Sequence, residues 1–396
     1  MVVVAHASGR DHFPAAVDGA MRRKRIVVIA SLTRSLVNFR LELLKAMVTA
    51  GHEVIALAPD NDEQAIAKLG AIGVNFQQIP MARTGTNPLA DLQTLKALYG
   101  LMRRLAPDIV LPYTMKPIIY GGLAARLAGV PRRFALFTGF GFIFSGSVTG
   151  LRATVLRRLS IALYRSALIG CEAVFAYNEA DASDIRGHRM VSATTPVIRV
   201  PGSGVDLTLF AASRPPSGPP VFLLIARLLR EKGIAEFAAA ARILKTKHRA
   251  ARFQILGPFD PSPLSISKAE MDQWTREGAV EYLGETHDVS PYLTASTVFV
   301  LPSYYREGIP RSALEALSTG RPIITTNAPG CQETVIDGEN GFLVESRDVE
   351  ALASAQRAFL EDEGLAVKMG ANSRKLAEER FDVHKVNHTL LEAMGL

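Results

Sequence analysis

Two cysteines, Cys171 and Cys331, are all the thiol chemistry in 396 residues, and they fall in different halves of the chain. That number and spacing exclude a disulfide framework and a cysteine-based metal site, and a reducing cytoplasm suits them. No apolar run approaches the ~18 residues needed to span a bilayer. The longest, residues 134–144, is broken by Thr138, Gly139 and Gly141. No secretory leader is legible either: Val2–Val4 is too short for an apolar core, and Arg10, Asp11 and Asp18 put charge into the stretch beyond it. Residues 1–20 therefore read as a disordered extension. Neither half opens with a G-x-G-x-x-G turn, which excludes a nicotinamide-dependent hydride transfer. Aromatics interleaved along a sheet face, as RNA recognition would need, are also missing, so no nucleic-acid partner is expected.

Basic charge, by contrast, is plentiful and unevenly spread. The net charge of +7 combines a net +11 over residues 1–204 with a net −4 over the remainder. Residues 100–170 hold ten Lys or Arg against one acid, Asp108. Such a face suits an anionic membrane leaflet, although scattered solvated charges would give the same count.

Short β-branched runs alternate with longer amphipathic stretches, the pattern of parallel sheets built from βαβ units. Strands are predicted near 26–31, 53–58, 74–77, 109–111, 134–136, 173–176 and 197–200, with helices at 36–50, closed by Gly51, and 88–105. Residues 211–220, "AASRPPSGPP", carry four prolines and no core pattern, so they read as a linker. The alternation then restarts, with strands near 221–226, 252–256, 298–302 and 321–325 and helices near 234–247, 311–319, 348–360 and 364–380. The division is thus an N-terminal domain (21–204), a linker (205–220), a second domain (221–380) and a terminal helix (381–396) packing back on the first. Two doubly wound, Rossmann-like domains leave a central cleft, and ligands of such sheets bind beyond the carboxyl ends of the strands.

In the second domain Arg227 and Lys232 sit between a strand and the helix that starts near 234, where free backbone amides, the helix dipole and two cations together suit a diphosphate. The next strand, "VFVLPS", leads to Glu307, the turn Gly308-Ile309 and Glu315. Carboxylates so placed can accept hydrogen bonds from vicinal hydroxyls. Glu315 also fits a capping box with Ser312. Glu333, in the turn-rich segment 327–344, is a third acid within reach of the cleft.

Arg227…Lys232-Gly233, the pair Glu307-x7-Glu315, "TTNAPGCQETVIDGENGFLV" and "VPGSGVDLTLF" occur in order, and together they resemble family 4 of the glycosyltransferases. The resemblance runs from Arg25 onward. It implies an α/β GT-B fold, retention of anomeric configuration and no metal or other cofactor. It further implies a nucleotide-sugar donor, with UDP as the nucleotide. Arg227 and Lys232 would neutralise the departing diphosphate, Glu315 would hold the ribose, and Glu307, with the Gly308 and Ile309 amides, would contact the donor sugar. "YTMKPIIYG" (residues 113–121) is similar to a subgroup of bacterial surface-polysaccharide transferases, whose acceptors are saccharides carried on lipids.

On the acceptor side Ser31, Arg34, Thr114, Lys116 and Thr138 are candidates for binding phosphate or sugar hydroxyls. Ser35 suits the same role or an N-cap, and Tyr120 reads as helix packing. Residues 151–165 place Leu151, Val155, Leu156, Leu159, Ala162 and Leu163 on one face and Arg157, Arg158 and Arg165 on the other. Beside the phenylalanine-rich loop this fits a peripheral contact with the inner face of the cytoplasmic membrane; the same stripe would also serve as core packing. Two rivals share the cleft: a sugar-nucleotide epimerase, which needs no acceptor, and a non-catalytic sugar-nucleotide-binding protein.

Overall fold

A computed structural model describes residues 22–82, 87–140, 150–262 and 264–396. The expected extension at 1–20 lies outside them, as do Gly141, Phe142 and Phe144 of the aromatic loop.

Seven strands form the first sheet: β1 (Arg25–Ile29), β2 (Glu53–Ala58), β3 (Asn75–Gln78), β4 (Ile109–Pro112), β5 (Arg132–Phe137), β6 (Ala173–Ala176) and β7 (Val197–Arg199). The second sheet has six: β8 (Val221–Ile225), β9 (Arg252–Leu256), β10 (Glu281–Tyr282), β11 (Val298–Leu301), β12 (Ile323–Thr326) and β13 (Gly341–Val344). The orders are β3-β2-β1-β4-β5-β6-β7 and β10-β9-β8-β11-β12-β13, and the strand pairs are parallel. Helices cover both faces, so central strands such as β8 are buried along their length, which is why they read as continuous apolar runs. In both sheets the order reverses beside the opening strand, between β1 and β4 and again between β8 and β11. Those reversals are the crevices where such sheets take ligands. Register Ile29↔Pro112 ends β1 and β4 level, so the residues after them emerge side by side.

The first helix is Thr33–Thr49, one turn longer at its start than the hydrophobic pattern suggests. Its first amide is satisfied from outside, because Thr33 N–H donates to the Asp60 carboxylate at 2.8 Å. Ser35 is therefore not the N-cap; its hydroxyl bonds the Leu32 carbonyl and Tyr113 Oη instead. Strands β10 and β13 escape the pattern, being short and set among turns.

The linker is not slack. Arg321, fully buried, donates to the carbonyls of Ser213, Leu293 and Thr294. The terminal helix Val383–Ala393 lies against the first helix, and Arg132 and Lys24 donate to the Met394 and Gly395 carbonyls just beyond it.

Candidate active site

A cavity of about 620 Å³ opens between the two sheets. Its walls come from the first helix and from beyond the carboxyl ends of seven strands: Ser31 after β1, Tyr113 and Thr114 after β4, Thr138 and Gly139 after β5, Tyr177 after β6, Ser203 after β7, Arg227 and Lys232 after β8, and the segment Tyr305–Arg311 after β11. Glycine permits two close approaches here. At Gly233 (φ +73°) a Cβ would sit 2.1 Å from the Pro302 carbonyl oxygen, so the turn carrying Lys232 presses directly on the end of β11. At Gly139 (φ +112°) a Cβ would sit 2.6 Å from the Gly308 nitrogen, so the two domains touch backbone to backbone.

Among the described residues five cations line the cavity, Arg40, Arg227, Lys232, Arg306 and Arg311, against one carboxylate, Glu307. Lys232 Nζ lies 2.5 Å from Glu307 Oε1, and both are largely buried. The Ser303 hydroxyl donates to that same oxygen at 2.9 Å. Arg227, half exposed, pairs with Asp260 at 2.7 Å. Arg311 pairs with Glu315 at 2.8 Å. Arg306 pairs with Asp184 and stands 3.5 Å from Asp181. Burial raises the Asp181 pKa to about 7.

Ser31, Thr114, Thr138, Arg227, Lys232, Glu307, Gly308 and Ile309 thus share one cavity. Thr114 donates to the Ser31 hydroxyl at 3.0 Å from a left-handed backbone (φ +69°). A β-branched residue is strained there, and such strain concentrates at functional sites. Four expected residues stand elsewhere. Lys116 is held by Asp91 at 2.8 Å, and Arg34 is held by Asp62 at 2.8 Å and contacts His287 of the facing domain; neither lines the cavity. Glu333 accepts from the Gly330 amide. Glu315, buried, is not among the lining residues and pairs with Arg311, which is. The capping box is absent: Pro310 occupies the N-cap position, and the Ser312 hydroxyl donates to the Ile225 carbonyl. Tyr120 packs among apolar side chains.

Residues 37–209 match the family described as Glycosyltransferase Family 4, and residues 206–376 match Glycosyl transferases group 1. The chain is a glycosyltransferase. The N,N'-diacetylbacillosaminyl-diphospho-undecaprenol alpha-1,3-N-acetylgalactosaminyltransferase of Campylobacter jejuni is 28% identical over 362 residues, 88% of this chain and 93% of that protein. The UDP-Gal:alpha-D-GlcNAc-diphosphoundecaprenol alpha-1,3-galactosyltransferase of Escherichia coli is 28% identical over 320 residues, 78% of this chain and 80% of that one. Anabaena HepE, solved in complex with UDP, has a TM-score of 0.73 at 20% identity, covering 94% of this chain and 99% of its own. The glycosyltransferase accordingly has the GT-B fold.

Sequence reasoning overlooked several residues that line the transferase's cavity or contact its lining. Arg40 is fully buried between the rings of Tyr113 and Tyr177, donates to Tyr177 Oη, and has no carboxylate in an ion pair among the described residues. A signal existed: Arg40 interrupts the apolar stripe Leu36, Leu43, Leu44 and Met47. Asn178, Asp181 and Arg306 had none, because cap-like residues and loop cations look alike in sequence wherever they point.

In the helix Leu151–Leu168 the leading part of the leucine stripe does not pack into the core. Leu151, Val155, Leu156 and Leu159 are exposed, as is Arg158; Tyr164, Ala167 and Leu168 supply its buried side. Phe140, expected to face a membrane, is instead buried against Phe137 and Tyr164. Among the described residues no helix is long and apolar enough to cross a membrane.

Proposed function

We propose that this enzyme is a retaining transferase that moves a sugar from a UDP-linked donor onto a lipid-linked saccharide, at the anionic inner face of the cytoplasmic membrane, in the synthesis of a surface polysaccharide or glycolipid. The observation that carries the reading is that five cations and one carboxylate, among the described residues, converge on a cavity at both crevices. Transfer breaks the bond between the sugar's C1 and the diphosphate oxygen, and the electron pair leaves on the diphosphate. Preorganised charge at that point is the largest catalytic effect such a site can offer. Arg227 and Lys232 stand beside the amino end of the helix Ile234–Lys245 and would receive the leaving group. Glu307 and the Gly308-Ile309 turn would contact the donor sugar, and Glu315 would hold the ribose. The acceptor hydroxyl would form the new bond to C1 from the side of Ser31, Thr114 and Thr138, with its proton ending on the departing phosphate.

Two observations support the acceptor and its location. The relatives from Campylobacter jejuni and Escherichia coli bear names that specify diphospho-undecaprenol acceptors, and the helix Leu151–Leu168 exposes leucines beside arginine, as interfacial helices do. The test is UDP release from a panel of UDP-sugars with and without a lipid-diphosphate saccharide, then NMR assignment of the new anomeric centre. Acceptor-dependent release with the donor's configuration kept is expected. Inversion would overturn retention, and acceptor-independent isomerisation of the donor would point to the epimerase.

A further inference from the structure

The segment that carries Glu307 belongs to the second domain, yet part of its backbone is held by the first. Asn178 lies at the end of β6 and caps the helix Glu179–Gly187, its Oδ1 accepting from the Asp181 amide at 2.8 Å. The other end of the same carboxamide crosses the cleft. Nδ2 donates to the carbonyls of Glu307 at 3.1 Å and Gly308 at 3.3 Å, and also to Asp181 Oδ2 at 3.1 Å. Asn178 has no exposed surface, so water does not compete for these bonds. One turn along, Asp181 and Asp184 face Arg306, the residue before Glu307. Thr138 and Gly139 close the same segment from the other side, since a Cβ on Gly308 would stand 2.5 Å from the Thr138 carbonyl oxygen.

We propose that Asn178 is a positioning residue: reaching from the first domain, its carboxamide sets the backbone of Glu307 and Gly308, so the donor-sugar contact is complete only when the two domains meet. The inference rests on Glu307 being that contact. A residue that merely glued the domains together would lower stability and every affinity alike. One that positions Glu307 affects turnover, while the nucleotide, held by Arg227, Lys232 and Glu315, still binds.

Asn178→Asp separates the two roles. Aspartate caps a helix as well as asparagine does, but it offers no N–H and sets an oxygen against the Glu307 and Gly308 carbonyl oxygens and Asp181 Oδ2. In the full-length enzyme, kcat for UDP-sugar turnover should fall about ten- to hundredfold. The calorimetric Kd for UDP should stay within about threefold of wild type, because its binding groups are unchanged. Hydrogen exchange should quicken in the peptide spanning 303–312 and stay slow in the helix Glu179–Gly187. Asn178→Ser, which also caps, should reproduce the pattern if the aspartate variant folds poorly. Turnover within about twofold of wild type with unchanged exchange at 303–312 overturns the inference, as does a loss of UDP affinity and melting temperature matching the loss of turnover. If wild type neither binds UDP nor consumes any nucleotide sugar, the functional reading fails, and loop exchange in the two variants still decides whether Asn178 positions the segment.

Discussion

Glu315 is almost enclosed, and desolvation pushes its pKa above the ordinary glutamate range while the Arg311 guanidinium pulls it back. A carboxylate kept there at the cost of its hydration is set to accept strong hydrogen bonds, of the kind that contribute ~1.5–3 kcal/mol each. Glu315→Gln keeps the shape and removes the charge, so UDP-sugar turnover should drop about ten- to hundredfold in a chain that still folds. Equal turnover with a lowered melting temperature would make the residue structural. Arg227→Ala and Lys232→Ala should each slow transfer, the second more, because it also strips Glu307 of its 2.5 Å partner. Added divalent metal should rescue neither variant, and wild type should keep its activity in chelator. Activity lost in chelator would assign the diphosphate charge to a metal ion.

The linker shows how one side chain can govern an element. Arg321 comes after the helix Arg311–Thr319 and Gly320, and burial lowers its pKa to about 10. It stays put because the carbonyls of Ser213, Leu293 and Thr294 surround it. Arg321→Met would leave the Ser213 and Thr294 carbonyls without that donor, at ~1–3 kcal/mol for each buried group left unsatisfied, while the Leu293 carbonyl keeps the amide and hydroxyl of Ser296. Denaturant unfolding should therefore show a loss of about 2 kcal/mol or more, and limited proteolysis should cut within 211–220 faster than in wild type. Unchanged cleavage would mean that the prolines alone stiffen the segment.

Across the whole molecule, the contact between domains should respond to pH. Asp181, with a pKa near 7 in the fold, titrates in the unfolded chain near 3.9. Between those values the native state binds the extra proton, so this group makes stability fall as pH rises from about 4 to 7. Arg306, Asp184 and Glu333 bear on it electrostatically, and Tyr164 is buried nearby. Asp181→Asn removes the titration. The melting temperature of the variant relative to wild type should rise between pH 5 and pH 8, and a constant difference would show that Asp181 is already ionised at pH 5. The exposed helix face makes a second prediction at this scale. Vesicles containing anionic lipid should bind the enzyme at low salt and release it as salt screens surface charge. Arg158→Glu should weaken that binding by roughly 1–2 kcal/mol, since one attractive charge of about 1 kcal/mol becomes repulsive. Leu156→Ser with Leu159→Ser should remove the part that survives high salt. No preference for anionic over neutral vesicles in co-sedimentation would leave a soluble acceptor as the better account.

Both domains, their strand and helix alternation and the loops that bear Arg227, Lys232 and Glu307 are written locally. β-branched runs select buried parallel strands, Gly51 and Pro88 mark helix ends, and the strand-to-helix turns lie between. That is why β2, β6 and the helices at 88–105 and 311–319 fall where the pattern puts them. The tertiary structure alone decided which charges line the cavity. Lys116 and Arg34 were equal candidates in sequence, but Asp91 and Asp62 claim them from 25 and 28 residues away. Glu315 passed for a helix cap until Ser312 turned towards β8. The exposed leucine face of the helix Leu151–Leu168 has the same 3.6-residue period as a buried one, because periodicity states that a stripe exists and not what covers it. Asn178 carries the point furthest. Its cap on the next helix is local and readable, while its bonds to Glu307 and Gly308 span about 130 residues and exist only because two separately wound sheets turn their carboxyl ends toward each other.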